Sequence, residues 1–144
     1  GLGGGTGARA TDNPPALIGR WAVRQTAFIA RQSLPDSLQE RLFDSPVAAT
    51  NDAIRRGVRQ QVLEFRVDST YTYTITVTGQ PAHREQGRYS LRRGWLHLRS
   101  DAPASALPAR QLVTRLTSRR LLLEIPVWAP HWQVAAQVDY RRLR

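Results

Sequence analysis

Between Leu63 and Val77 apolar and polar residues alternate almost without a break. Leu63, Phe65 and Val67 are separated by Glu64 and Arg66. Beyond a turn at Asp68–Ser69, Tyr71, Tyr73, Ile75 and Val77 alternate with a series of threonines from Thr70 to Thr78. A period of two sends successive side chains to opposite faces of a strand, so this stretch predicts a hairpin with an aromatic and aliphatic inner face. Upstream, Trp21, Val23, Ala27 and Ile29 share one side of a strand that begins near Gly19. Downstream, Tyr89 and Leu91 lead through a turn at Arg92–Arg93–Gly94 into Leu96 and Leu98. A loop from Pro103 to Pro108 precedes Leu112, Thr114 and Leu116, which alternate with Val113 and Arg115. A turn at Ser118–Arg120 leads to Leu121, Leu123 and Ile125. Pro126 and Pro130 bracket another loop, and a last strand from about Trp132 to Leu143 sets Trp132, Val134, Ala136, Val138 and Tyr140 on one face.

Only the segment from Ser33 to Gly57 departs from this period. Leu34, Leu38, Arg41 and Leu42 have helical spacing, with Ser33 or Asp36 as a cap. A second short helix from Pro46 to Arg56 follows, with Thr50 or Asn51 as a later alternative cap and Gly57 as its end. About eight short strands joined by hairpins form a meander, and eight is a number that closes into an antiparallel up-and-down barrel without leaving sheet edges. A two-sheet sandwich is the competing arrangement. The glycine-rich, then polar stretch that ends at Pro14–Pro15 reads as a flexible leader over residues 1–16, ahead of one domain spanning 17–144.

Composition narrows the function classes. The longest apolar runs, such as Leu121–Leu123, are far too short to cross a bilayer as a helix. The absence of cysteine removes disulfides, thiolate metal sites and thiol nucleophiles. All 21 basic residues are arginine, a bias expected from a GC-rich genome, and the net charge is +10. Such a charge permits contact with nucleic acid, anionic lipid or acidic glycan. The arginines Arg66, Arg88, Arg99 and Arg115 fall on outward positions, which predicts a basic exterior, or simply a solvated surface. Outward aromatics for base stacking are scarce, with Trp95 and the loop residue Trp128 as the candidates. Nucleic acid is therefore not an expected partner. His83, His97 and His131 have no metal-ligand spacing, and no nucleophile elbow, phosphate loop or dinucleotide fingerprint is present. Glu64 and Glu124 sit outward, as surface partners for arginine. No catalysis, metal or cofactor is expected.

The segment Leu17–Ile18–Gly19–Arg20–Trp21 resembles the Gly-x-Trp signature that opens the first strand of lipocalins. The pieces Leu63–Glu64–Phe65, Asp68–Ser69–Thr70–Tyr71 and Gly87–Arg88–Tyr89–Ser90–Leu91 resemble, in order, the later strands of bacterial lipocalin-like domains of exported lipoproteins. The resemblance implies a barrel whose closed end is plugged by Trp21 with an arginine from the last strand packed across it. Arg142 is the best match, with Arg141 and Arg144 as alternatives. It also implies export, to the periplasm or as a lipoprotein anchored at the outer membrane. On that reading the leader is a tether following a lipid-modified cysteine, and an expression remnant is the alternative. The helical insertion lies where lipocalins place a lid loop, and it is longer than usual.

The expected ligand-binding interior is lined by Phe65, Tyr71, Tyr73, Tyr89, Trp132 and Tyr140. Buried tyrosine hydroxyls need partners, which a ligand or water in the barrel would supply, or they sit at the barrel ends in bulk water. Two functions stay open. One is a non-catalytic envelope binding domain, monomeric or weakly oligomeric, for a small apolar or amphipathic ligand. The other is an interaction domain with a filled barrel, docking an anionic lipid or glycan surface through its arginines.

Overall fold

The structure is a computed structural model that describes residues 14–43, 45–127 and 133–144. Most of the leader, together with Trp128, His131 and Trp132, lies outside the described residues. Eight antiparallel strands form a closed ring in sequence order: β1 (Gly19–Ala30), β2 (Arg59–Phe65), β3 (Thr70–Val77), β4 (His83–Arg92), β5 (Trp95–Ser100), β6 (Arg110–Leu116), β7 (Arg120–Val127) and β8 (Val134–Leu143). The ring closes through a long β1–β8 ladder, from Arg20 opposite Leu143 to Ala30 opposite Val134. This settles barrel against sandwich. Among the described residues no helix is long and apolar enough to cross a membrane.

Two helices, α1 (Asp36–Phe43) and α2 (Val47–Arg55), fill the connection from β1 to β2. Their place follows from a gap in the ladder, because β1 pairs with β2 only through Gly19–Ala22. Where β1 has lost its partner strand, α2 supplies one with a side chain. The Asn51 amide accepts from the Thr26 N–H at 2.9 Å and donates to the Thr26 carbonyl at 2.8 Å. Asn51 therefore stands in for a strand residue and does not cap a helix. Nor does Thr50 or any other side chain cap α2, whose N-cap is Pro46. At its other end the Val58 N–H reaches the Ala53 carbonyl and the Gly57 N–H reaches Ile54. That double closure requires the left-handed backbone of Gly57, at φ +74°.

Two β-bulges reverse parts of the inside–outside assignment read from the sequence. In β1 the register shifts between Val23 and Gln25, so Thr26 and Phe28 pair with Val138 and Ala136 and point inward. Ala27 and Ile29, expected inside, face outward. In β6 a shift between Val113 and Arg115 has the same effect: Gln111 pairs with inward Leu96, Val113 with inward Leu123, and Leu112 faces outward opposite Glu124 and Trp95. An extra residue in one strand puts residues of the same parity on opposite faces before and after it, which a period-2 reading cannot anticipate. Val67, expected on the inner face, lies beyond the end of β2 in the turn and is 81% exposed.

The interior holds one cluster that includes Leu17, Trp21, Val23, Leu63, Leu96, Leu98, Leu121 and Leu123, with the inward aromatics among them. Ile54 of α2 and Leu107 of the β5–β6 loop pack on it, so both segments cover the end of the barrel remote from Trp21.

Candidate functional site

The closed end is built around Trp21, which is fully buried and donates its indole N–H to the Leu17 carbonyl at 2.9 Å. The Arg142 guanidinium lies over the indole at 4.3 Å from the ring centroid. Its nitrogens donate to the carbonyls of Ile18 and Ser118, each at 2.6 Å, and to that of Ala16. One side chain thus ties the last strand to the 3₁₀ turn Pro15–Leu17, to the start of β1 and to the β6–β7 turn. Gly19 makes the approach possible. A Cβ there would collide with Arg142 Nη1, and its φ of +133° is one that side-chain-bearing residues rarely adopt. Glycine two residues before tryptophan is therefore a steric requirement of the arginine plug.

Of the six residues expected to line the interior, Phe65, Tyr71, Tyr73, Tyr89 and Tyr140 are all buried and inward. Trp132 is outside the described residues. The Phe65 and Tyr89 rings meet edge to face at 4.7 Å. Three tyrosine hydroxyls find protein partners rather than bulk water. Tyr89 donates to the Arg66 carbonyl at 2.7 Å, Tyr71 donates to Glu85 at 3.1 Å, and Tyr73 accepts from the Gln61 amide at 2.7 Å. Burial raises the pKa of all four tyrosines, that of Tyr89 to about 12, with the nearby Asp68 carboxylate adding to the effect.

These partners disclose a polar half of the interior that was missed in the sequence. Arg59 Nε donates to Gln61 Oε1 at 2.8 Å, which orients the Gln61 amide towards Tyr73. With that bond accepted, the Tyr73 hydroxyl keeps its own proton to donate. Glu85, opposite Tyr73 in register, has no exposed side-chain surface. Its carboxylate accepts from Ser105 Oγ at 2.6 Å and the Ala106 N–H at 2.7 Å, both on the β5–β6 loop. Burial opposes the ionisation of Glu85, but hydrogen bonds from Ser105, Ala106, Tyr71 and His83 outweigh it and hold the carboxyl below its ordinary pKa. Gln111, 1% exposed, donates its amide N–H to the Pro108 carbonyl at 3.3 Å, which leaves its carbonyl oxygen buried without a partner. Glu85 and Gln61 share parity with Tyr89 and Leu63 and could have been found in the sequence. Gln111 could not, because the β6 bulge hides its parity.

The remaining expectations can be placed. Glu64 pairs with Arg66, and Glu124 pairs with Arg31 at 2.6 Å although its own side chain is only 6% exposed. His83 lies 3.5 Å from Glu85, while His97 faces outward. Among the described residues no group of three or more acidic or histidine side chains could hold a metal ion.

No protein-family model matches the sequence, and no curated protein is significantly similar to it. Among solved structures, a lipocalin-like protein from Bacteroides uniformis superposes with a TM-score of 0.54 at 12% identity, covering 89% of this chain and 99% of that one. The fold is a lipocalin-like barrel. The fatty-acid-binding protein 1 of Echinococcus granulosus aligns over 90% of this chain and 98% of its own at 12% identity, with a TM-score of 0.40.

Proposed function

We propose that the chain is a non-catalytic binding domain for a small amphipathic molecule. Its apolar part would lie against the aromatic and leucine floor above Trp21, and its polar group would face Tyr73 and Gln111. The observation that carries this reading is the buried, unpartnered carbonyl oxygen of Gln111 in the polar half of an otherwise apolar interior. An orphaned buried acceptor costs about 1–3 kcal/mol, so its persistence favours a partner outside the chain. The Tyr73 hydroxyl offers a complementary donor. A neutral head group bearing O–H or N–H, such as an alcohol, amide or protonated acid, has the donor that Gln111 lacks and an acceptor that Tyr73 could use. Access would run beneath Ile54 of α2 and the β5–β6 loop, the two segments that cover this end. The glycine-rich leader and the resemblance to exported lipoproteins support a setting at a bacterial cell envelope, free or tethered; fractionation of the producing cell checks it.

Native mass spectrometry of freshly purified protein, with solvent extraction of the same sample, tests the reading. A 1:1 adduct that denaturation releases is the expected result. Gln111→Leu, which removes the orphaned acceptor, should raise the stability of the ligand-free protein by about 1 kcal/mol and weaken ligand uptake. A bare chain mass with no response to a panel of long-chain alcohols, amides and acids would sink the proposal.

A further inference from the structure

The outer face of β4, β5 and β6 carries charge of one sign. Arg88 and Arg92 of β4, Arg99 of β5 and Arg110 of β6 are exposed and line a groove of about 480 Å³ together with Ser90 and His97. No acidic residue lines it, and the one acid of β4, Glu85, points into the barrel. Arg88 stands directly opposite Arg99 in the β4–β5 register. Like charges on paired cross-strand positions cost stability, so this placement asks for an external anion. Among the described residues the arginine–carboxylate pairs fall elsewhere: Arg31 with Glu124, Arg55 and Arg56 with Asp52, Arg66 with Glu64, Arg120 with Asp139.

What adjoins the groove selects the anion. Arg110 lies over the Trp95 ring at 4.8 Å and holds the indole at the border of the cationic face. Past Trp95 lies a second, largely apolar groove of about 340 Å³, in which Leu112, Pro126, Val127, Val134 and Ala135 are joined by Gln133 and by Arg31 and Glu124, whose charges are paired with each other. Cations, then an indole, then apolar surface is the order that matches phosphate, interface and acyl region at a bilayer. A single-stranded nucleic acid would instead need free ring faces for stacking, and Trp95 has one face occupied by Arg110. We propose that the outer face of β4–β6 docks on the surface of a bilayer containing anionic phospholipid. This inference stands apart from the interior binding reading, and either can fail alone.

The test is co-sedimentation with vesicles of phosphatidylcholine, with or without about a third phosphatidylglycerol, each arginine at an anionic surface contributing about fivefold in partition. The wild-type chain should sediment with the anionic vesicles and stay in solution with phosphatidylcholine alone. Arg88→Glu should lower the partition coefficient at least about fivefold. The same change puts a carboxylate opposite Arg99, so the thermal midpoint should hold or rise, which separates lost docking from lost folding. Arg24→Glu makes an equal charge change on β1, across the ring, and should leave partition within about twofold because charge effects are local at this range. The proposal is overturned if Arg24→Glu weakens binding as much as Arg88→Glu, since net charge alone would then be responsible. It is equally overturned if the protein ignores anionic vesicles but is retained by a sulfated glycan or single-stranded DNA, or if it binds both vesicle types alike.

Discussion

Replacing Arg142 with alanine should cost about 3 kcal/mol. The side chain stacks on a buried indole, a contact in which a partly desolvated guanidinium contributes about 1 kcal/mol. Its bond to the Ile18 carbonyl is part-buried and charge-assisted and adds about 1–1.5 kcal/mol, while the more exposed bonds to Ser118 and Ala16 add about 0.5 kcal/mol each. At roughly 2.1 cal/mol/K of unfolding entropy per residue, a barrel of about 130 residues loses about 11 °C of thermal midpoint for 3 kcal/mol. Differential scanning calorimetry measures the shift, and urea titration at constant slope checks the free energy. Arg142→Lys keeps the charge but cannot fork to three carbonyls, so it should recover only about a third of the loss. Arg141→Ala, one residue away and exposed, should change stability by no more than about 0.5 kcal/mol. Because Gly19 serves the same contact, Gly19→Ala combined with Arg142→Ala should cost less than the two single changes added together. Equal shifts for Arg142→Ala and Arg141→Ala, or strict additivity with Gly19→Ala, would refute the account of the plug.

Three further outcomes follow from the interior. Glu85 is held below its ordinary pKa of 4.5, so its contribution to stability is present above that value and is lost as pH falls through the folded-state pKa. Amide exchange at Ala106 should accelerate over that acid range, and Glu85→Gln should flatten the dependence. All four tyrosines have raised pKa values. The unfolded chain therefore ionises first as pH rises past the ordinary value of 10.0, and folded-state stability falls from there upward. Absorbance at 295 nm should rise together with unfolding measured by circular dichroism, and a tyrosinate signal in the still-folded protein near pH 10 would contradict the burial. Gly87→Ala should destabilise by more than about 3 kcal/mol or prevent folding, because a Cβ there would run into the Arg99 carbonyl oxygen and the backbone of Ser100; a circular dichroism melt decides it.

The eight-strand meander, the helical interruption and the inward side of β2, β3, β4 and β7 were legible in the sequence, because a half-buried strand records its two faces as a period of two. Gly19, Trp21 and Arg142 were legible only through their resemblance to a known signature, and the steric reason for the glycine emerged from the approach of Arg142. Tertiary structure decided what depends on distances between strands. Ladder closure alone shows that β1 and β8 are neighbours. The bulges after Val23 and Val113 add one residue each, so residues of one parity change face across them: Ala27 and Ile29 lie outside although Trp21 and Val23 lie inside, and Leu112 lies outside and Gln111 within although Leu116 points inward. Asn51 pairs with Thr26 because the β1–β2 ladder stops short, a fact no local pattern carries. The opposition of Arg88 to Arg99 is likewise a matter of register between two strands. Local sequence specifies which way a side chain leaves its own strand; what it then meets is set by the neighbouring strand, whose offset depends on turns, bulges and closure of the whole ring.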